Sequence, residues 1–232
     1  LLKAKSLKRS DQNDSAISIY EKILNEFPNN QKARDEHSII MVSLIKKSED
    51  QLIAMMDKGN FLSMANFANK LTEKIPNSII FWNLCGIANI NLNNFQMAES
   101  NFTQACKIDS SNPYIWVNLA SSLNYQKKYN EALDAYKKGI TLKPDFHEAI
   151  CDAGEIFNKL NKPTDALSCF IKTIEINKNY IKAWMFIGHT IKYLKFTNPN
   201  LKIQNIILLL LDHKSLVRPS GIALCIVSLI IS

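Results

Sequence analysis

The side chains best suited to chemistry are four histidines, five cysteines and a spread of acids. His147, flanked by Asp145 and Glu148, comes nearest to a metal or acid–base cluster. Its D-x-H-E arrangement lacks metal-ligand spacing, and acids at the opening of a helix favour the helix dipole without any ion. Glu99, Glu131 and Asp165 fall near expected helix starts, and the same dipole accounts for them. His37, His189 and His213 are each isolated. Cys85, Cys106, Cys151, Cys169 and Cys225 are odd in number, form no C-x-x-C pair and mostly sit at apolar helical positions. They read as small buried hydrophobes in a reducing compartment, so neither a disulfide framework nor a zinc site is expected. No nucleophile elbow, Walker A loop, G-x-G-x-x-G or H-E-x-x-H occurs. The expectation for this chain is therefore no catalytic residue, no cofactor and no metal.

The 232 residues are 47% apolar, enough for a folded core, and only 6 glycines and 7 prolines disfavour an all-β or loop-rich architecture. The net charge of +7 admits two readings. One is an acidic partner; the other is compositional drift in a chain rich in Lys, Asn and Ile. No dense basic patch appears, so nucleic acid is not an expected partner. The opening LLKAKSLKRS has no apolar leader core, and a cytoplasmic location is expected. The first residue is Leu1, and the chain is expected to be part of a longer one. The apolar runs are all shorter than the roughly 20 residues of a membrane span.

The elements that must position any functional side chain announce themselves by a period. Trp82, Trp116, Ile150 and Trp184 stand 34 residues apart, and four positions after them come Gly86, Ala120, Gly154 and Gly188. Sixteen after the first three come Ala98, Ala132 and Ala166, and twenty after them Phe102, Tyr136 and Phe170. Neither helix of a two-helix repeat can bury its apolar stripe alone, so these positions read as structural core. The small residues let the facing helix approach, and the aromatics are expected to fill the gap between one hairpin and the next. On that reading Trp116→Ala costs about 3–5 kcal/mol. EFPNN, EKIPNS, KIDSSN and LKPD mark the repeat boundaries. Gly59-Asn60, Asn93-Asn94 and Lys128-Tyr129 are the expected turns between helices.

This 34-residue rhythm of large, small, small and aromatic positions resembles the tetratricopeptide repeat. The resemblance implies an all-α, right-handed α-solenoid with a helical C-terminal cap. Its expected parts are a partial repeat at 1–30, a helical linker at 31–47 and an array over 48–196. The array divides at 48–78, 79–112, 113–146, 147–180 and a partial 181–196, and apolar helices at 197–232 form a cap or connector. In residues 1–30, Ala4, Ala16 and Tyr20 take the small and aromatic places. Met64 and Ala68 take them in a degenerate repeat.

The resemblance also implies a concave groove, lined by the first helix of each repeat, that binds a protein or peptide. Counting each Trp position as 4, the groove residues are Asn83, Ile87, Asn91, Asn118, Ser121, Asn124, Tyr125, Asp152, Glu155, Asn158, Lys159, His189, Lys192 and Tyr193. Position 5 reads Asn83, Val117, Cys151 and Met185, without the cations that clamp a peptide carboxylate in chaperone-binding arrays. Position 6 reads Leu84, Asn118, Asp152 and Phe186, with one rung of the asparagine ladder known from O-linked N-acetylglucosamine transferases. The ends are similar to bacterial arrays fused to sulfo-, glycosyl- or methyltransferase domains. The two expected functions are thus a protein-binding scaffold, or the recognition arm of a transferase whose catalytic domain lies beyond Ser232.

Overall fold

The computed structural model describes residues 1–9 and 12–191, and the expected apolar helices at 197–232, with Lys192, Tyr193 and Cys225, lie outside them. The described residues form eleven helices and no strand. They divide into two compact units, Leu1–Pro76 and Asn77 onward.

The first unit contains α1 (Leu2–Arg9), α2 (Asn13–Glu26), α3 (Gln31–Asp57) and α4 (Phe61–Lys74). Ala4, Ala16, Tyr20, Ala33 and Ile40 bury their side chains together. Pro28 stands just after α2, where its ring forbids further helix, and Asn30 caps α3 by accepting from the Ala33 amide at 3.1 Å. α3 runs 27 residues without a break, through both the stretch 31–47 and the start of the repeat expected from residue 48. Met64 and Ala68 on α4 are fully buried, and Lys74 reaches Asp14 on α2 at 2.9 Å.

The second unit contains α5 (Ile79–Asn91), α6 (Phe95–Ile108), α7 (Pro113–Tyr125), α8 (Tyr129–Leu142), α9 (His147–Lys159), α10 (Pro163–Ile176) and α11 (Ile181–Ile191). Each packs on the next in sequence, while α7 also touches α5 and α11 touches α9. That nearest-neighbour pattern is what makes a solenoid. Phe102 and Phe170 are fully buried. A Cβ added at Gly86 would lie 2.6 Å from the Phe102 ring, and one at Gly154 2.6 Å from the Phe170 ring. Each aromatic therefore seats against the glycine of its own hairpin, a contact the expected gap-filling role leaves out. Phe170 also reaches the next hairpin, stacking on Phe186 with centroids 5.1 Å apart. Trp184 is buried, whereas Trp82 and Trp116 are half-buried and pack on the edge of the core. The Trp116 indole donates to the Ser110 carbonyl at 2.8 Å, and the Lys138 ammonium lies over its ring.

The turns between paired helices keep the same period in the backbone. Gly59, Asn93, Lys127 and Asn161 all have φ between 56° and 67°. Beyond each, an amide returns to a carbonyl five residues back, as Asn94 does to Asn89 at 2.8 Å and Lys128 to Leu123 at 3.0 Å. This is the Schellman way of closing a helix. The third turn is thus Lys127-Lys128, one residue earlier than the sequence suggests, because the left-handed residue holds the register whatever its side chain. Lysine is the least suited of the four, since a Cβ in this region is strained. Lys127→Gly should stabilise the fold by up to about 1 kcal/mol, read as a rise in the urea midpoint. No gain would mean the strain is already relaxed.

Candidate functional site

The first helix of each hairpin in the second unit, α5, α7, α9 and α11, carries the expected groove residues. Successive members of this set are joined by side-chain bonds. Asn118 Nδ2 donates to Asn83 Oδ1 at 2.9 Å, linking α7 to α5. Lys159 Nζ donates to Asn124 Oδ1 at 3.1 Å, linking α9 to α7. Asn158 Nδ2 donates to Thr190 Oγ1 at 2.8 Å, and Lys182 Nζ to Asp152 Oδ1 at 2.6 Å, linking α9 and α11. The 34-residue period creates these rungs by setting the first helices of successive repeats side by side, so that residues 30 to 35 apart in sequence come within reach.

The remaining expected residues divide. Ser121 Oγ donates to the Val117 carbonyl and shares a 3.2 Å bond with the Tyr136 hydroxyl, so it serves the core as well as the face. Burial, the nearby Asp152 charge and that of Glu155 together push the Tyr136 phenol far up despite this bond. Tyr125 is 57% exposed and stacks on Phe95 with centroids 4.7 Å apart. Ile87 packs against the core edge, and Asn91 turns back to its carbonyl at 2.9 Å. His189 is exposed on α11.

At the α9–α11 end the face is charged. Lys182 reaches Asp152 at 2.6 Å and Glu155 at 3.6 Å, while Lys159 takes Glu155 at 2.9 Å. Burial pushes the Asp152 carboxyl up even with Lys182 bonded to it. Lys182 is pushed up too: burial opposes its charge, but the bond to Asp152 and the nearby carboxylates outweigh it. Lys182 is the site residue sequence reasoning missed, although it occupies position 2 of the Trp-based count, one of the inward places. Lys182→Met should cost about 1 kcal/mol near neutral pH, as an exposed-edge ion pair is lost and a carboxylate is left half-buried. A raised folded-state value means the native chain binds the proton more tightly than the unfolded one. The loss should therefore shrink as pH falls from neutral toward the ordinary aspartate range, where Asp152 is protonated. Melts at two pH values check this, and an equal loss at both would show that Asp152 does not feel Lys182.

Glu99, expected to serve a helix dipole, lies beyond the first turn of α6. It accepts instead from Gln126 Nε2 at 2.8 Å and Lys128 Nζ at 2.7 Å, tying one hairpin to the next. His147 is held structurally. Its Nδ1 lies 3.2 Å from Glu148, and its Nε2 3.0 Å from Asn177 Nδ2. The tautomer protonated on Nδ1 satisfies both nitrogens. Among the described residues no three His, Cys, Asp or Glu side chains converge as a metal set would. Burial drives the thiols up, Cys85, Cys106 and Cys169 to about 11 and Cys151 to about 12, which keeps them protonated.

The tetratricopeptide repeat family matches at residues 113–146 and at residues 1–30. Both of these stretches are thus tetratricopeptide repeats. Solved tetratricopeptide structures share the fold. A crystal structure of YrrB, described as a TPR protein with an unusual peptide-binding site, superposes with a TM-score of 0.60 at 14% identity, covering 88% of this chain and 95% of that one. PilF of Pseudomonas aeruginosa gives 0.61 at 18% identity over 74% and 73% of the two chains. Among curated proteins, human protein O-mannosyl-transferase TMTC3 is 24% identical over 198 residues, 76% of this chain and 21% of its own length. The mouse protein is 25% identical over 146 residues, 56% of this chain and 16% of its own. The chain thus spans about a fifth of the human relative's length. Among the described residues no helix is long and apolar enough to cross a membrane.

Proposed function

We propose that the face formed by α5, α7, α9 and α11 binds an extended peptide segment of a partner protein. The observation that carries this reading is the set of side-chain rungs joining each of these helices to the next. Each amide rung uses one end of an asparagine and leaves the other for a ligand. Asn83 keeps its Nδ2, Asn118 its Oδ1 and Asn124 its Nδ2, matching the alternating acceptors and donors of a peptide backbone. Exposed Tyr125 and Met185 offer contact area beside them. Among the described residues, Lys159 and Lys182 on this face are already paired with carboxylates, which disfavours a C-terminal carboxylate as the group recognised. The peptide-binding site described for YrrB, a protein of the same fold, agrees with this reading. The buried thiols, none joined in a disulfide among the described residues, fit a reducing compartment such as the cytoplasm.

A second reading makes the same face the substrate-recognition arm of a larger transferase, supported by the match to the O-mannosyl-transferase. Both readings are tested by a photo-crosslinking residue placed at Tyr125, with an equivalent at exposed Lys178 as control. Adducts from position 125 that fade when Asn118→Ala and Asn124→Ala are combined support the binding face. Equal adducts from both positions overturn it. Sequencing the gene on both sides of this segment separates scaffold from transferase arm.

A further inference from the structure

A second surface lies away from the rungs of α5, α7, α9 and α11. Between α8 and α10 runs a furrow of 490 Å³, with α9 at its bottom. Leu133, Ile140, Ala153 and Phe157 floor it, and Lys137 and Lys172 stand on opposite edges. Ala153 and Phe157 lie on a different face of α9 from Asp152, Glu155 and Lys159, because successive helical residues turn by about 100°. α8 and α10 each pack on α9 and barely touch one another, which leaves the furrow open.

Its charge distinguishes it. Lys159, Lys182 and Lys128 on the rungs and clasp are all matched to carboxylates. Lys137 and Lys172, which line the furrow, are exposed, and no carboxylate among the described residues pairs with them. Asp134 alone among the lining residues is acidic. An apolar floor flanked by two unpaired ammonium groups against one carboxylate calls for a ligand that is acidic and carries an apolar anchor. Residues 192–232 are unsuited to that role, since they hold Lys192, Lys195, Lys202, Lys214 and Arg218 against Asp212 alone. A second copy is unsuited too, with its net charge of +7.

We propose that the α8–α10 furrow is a second docking site, independent of the rungs, for an acidic segment of another protein that inserts an apolar side chain over Phe157 and Ile140. The test selects binders from a random dodecapeptide display library on the intact chain. It then counter-selects on the K137E/K172E double variant, whose exposed substitutions leave the core untouched. Specific binders should be rich in Asp and Glu around at least one Leu, Ile or Phe. Their affinity should fall about tenfold or more in the double variant and weaken as salt is raised, while Asn124→Ala leaves it unchanged. Binders without acid enrichment, equal affinity for the charge-reversed chain, or loss of binding with Asn124→Ala would each overturn the proposal.

Discussion

Phe102→Ala should destabilise the protein by about 3–5 kcal/mol, the usual cost of deleting a fully buried phenylalanine. The ring is 0% exposed, seated on Gly86 and packed into the cluster that contains Ile115 and Ala132. The glycine offers no side chain to fall into the space, so the cavity stays largely open and the loss should lie toward the upper end. Since stability in a repeat stack travels through neighbour interfaces, the α5–α6 and α6–α7 contacts should weaken together, broadening the transition as well as lowering it. Urea denaturation tracked by circular dichroism reads both effects. A loss below about 1 kcal/mol would show that neighbouring side chains collapse into the gap. Trp116→Ala, by contrast, should cost less than the sequence suggests, because the indole is only half-buried at the core edge and its Nε1 is already at the surface by Ser110.

Gly154→Ala should cost about 1–2 kcal/mol: overpacking takes about 1–3, and the better helix propensity of alanine returns about 0.5–1. The added methyl would stand 2.6 Å from the Phe170 ring and 3.0 Å from the Cys169 Cβ. Phe170 cannot swing aside easily, because Phe186 is stacked on it. The explanation has a distinctive signature. Phe170→Leu in the Gly154→Ala background should cost less than Phe170→Leu alone, a coupling that double-mutant analysis measures. Strictly additive losses would mean that the methyl is accommodated by backbone movement instead.

These two sites also show what sequence can disclose. The spacing of Gly86 to Phe102 and Gly154 to Phe170 is a local record of packing, since a glycine kept inside a helix needs a close neighbour. Helix order and the period come from the same record. Trp116 misleads because its type signals burial, while its exposure depends on how far the Ser110 carbonyl and Lys138 draw it outward. The turn at Lys127 misleads because lysine carries none of the chemistry that marks Gly59 or Asn93, although the backbone does the same thing there. On the candidate face, Asn118 and Asn124 are legible from position alone. Lys182 stands at an inward position too, but what it does there, like the role of Thr190, is set by a partner 30 or 32 residues away. The α8–α10 furrow has no sequence signal at all, since it is the space between helices rather than a property of either.

The uninterrupted α3 bears on how the first unit could have arisen. Pro28 and Pro76 are 48 residues apart, one 34-residue period plus 14. Fourteen residues are close to four helical turns, so inserting them rotates the C-terminal part of the helix by only about 40°. Ala33, Ile40, Ser48 and Leu52 can thus all stay on one buried side of the helix. A duplication or insertion of that size lengthens the rod while preserving its inward stripe, whereas one of two or five residues would turn Leu52 toward water. The length of α3 is therefore the kind of indel a helical lineage tolerates, a whole number of turns to within a fraction of one.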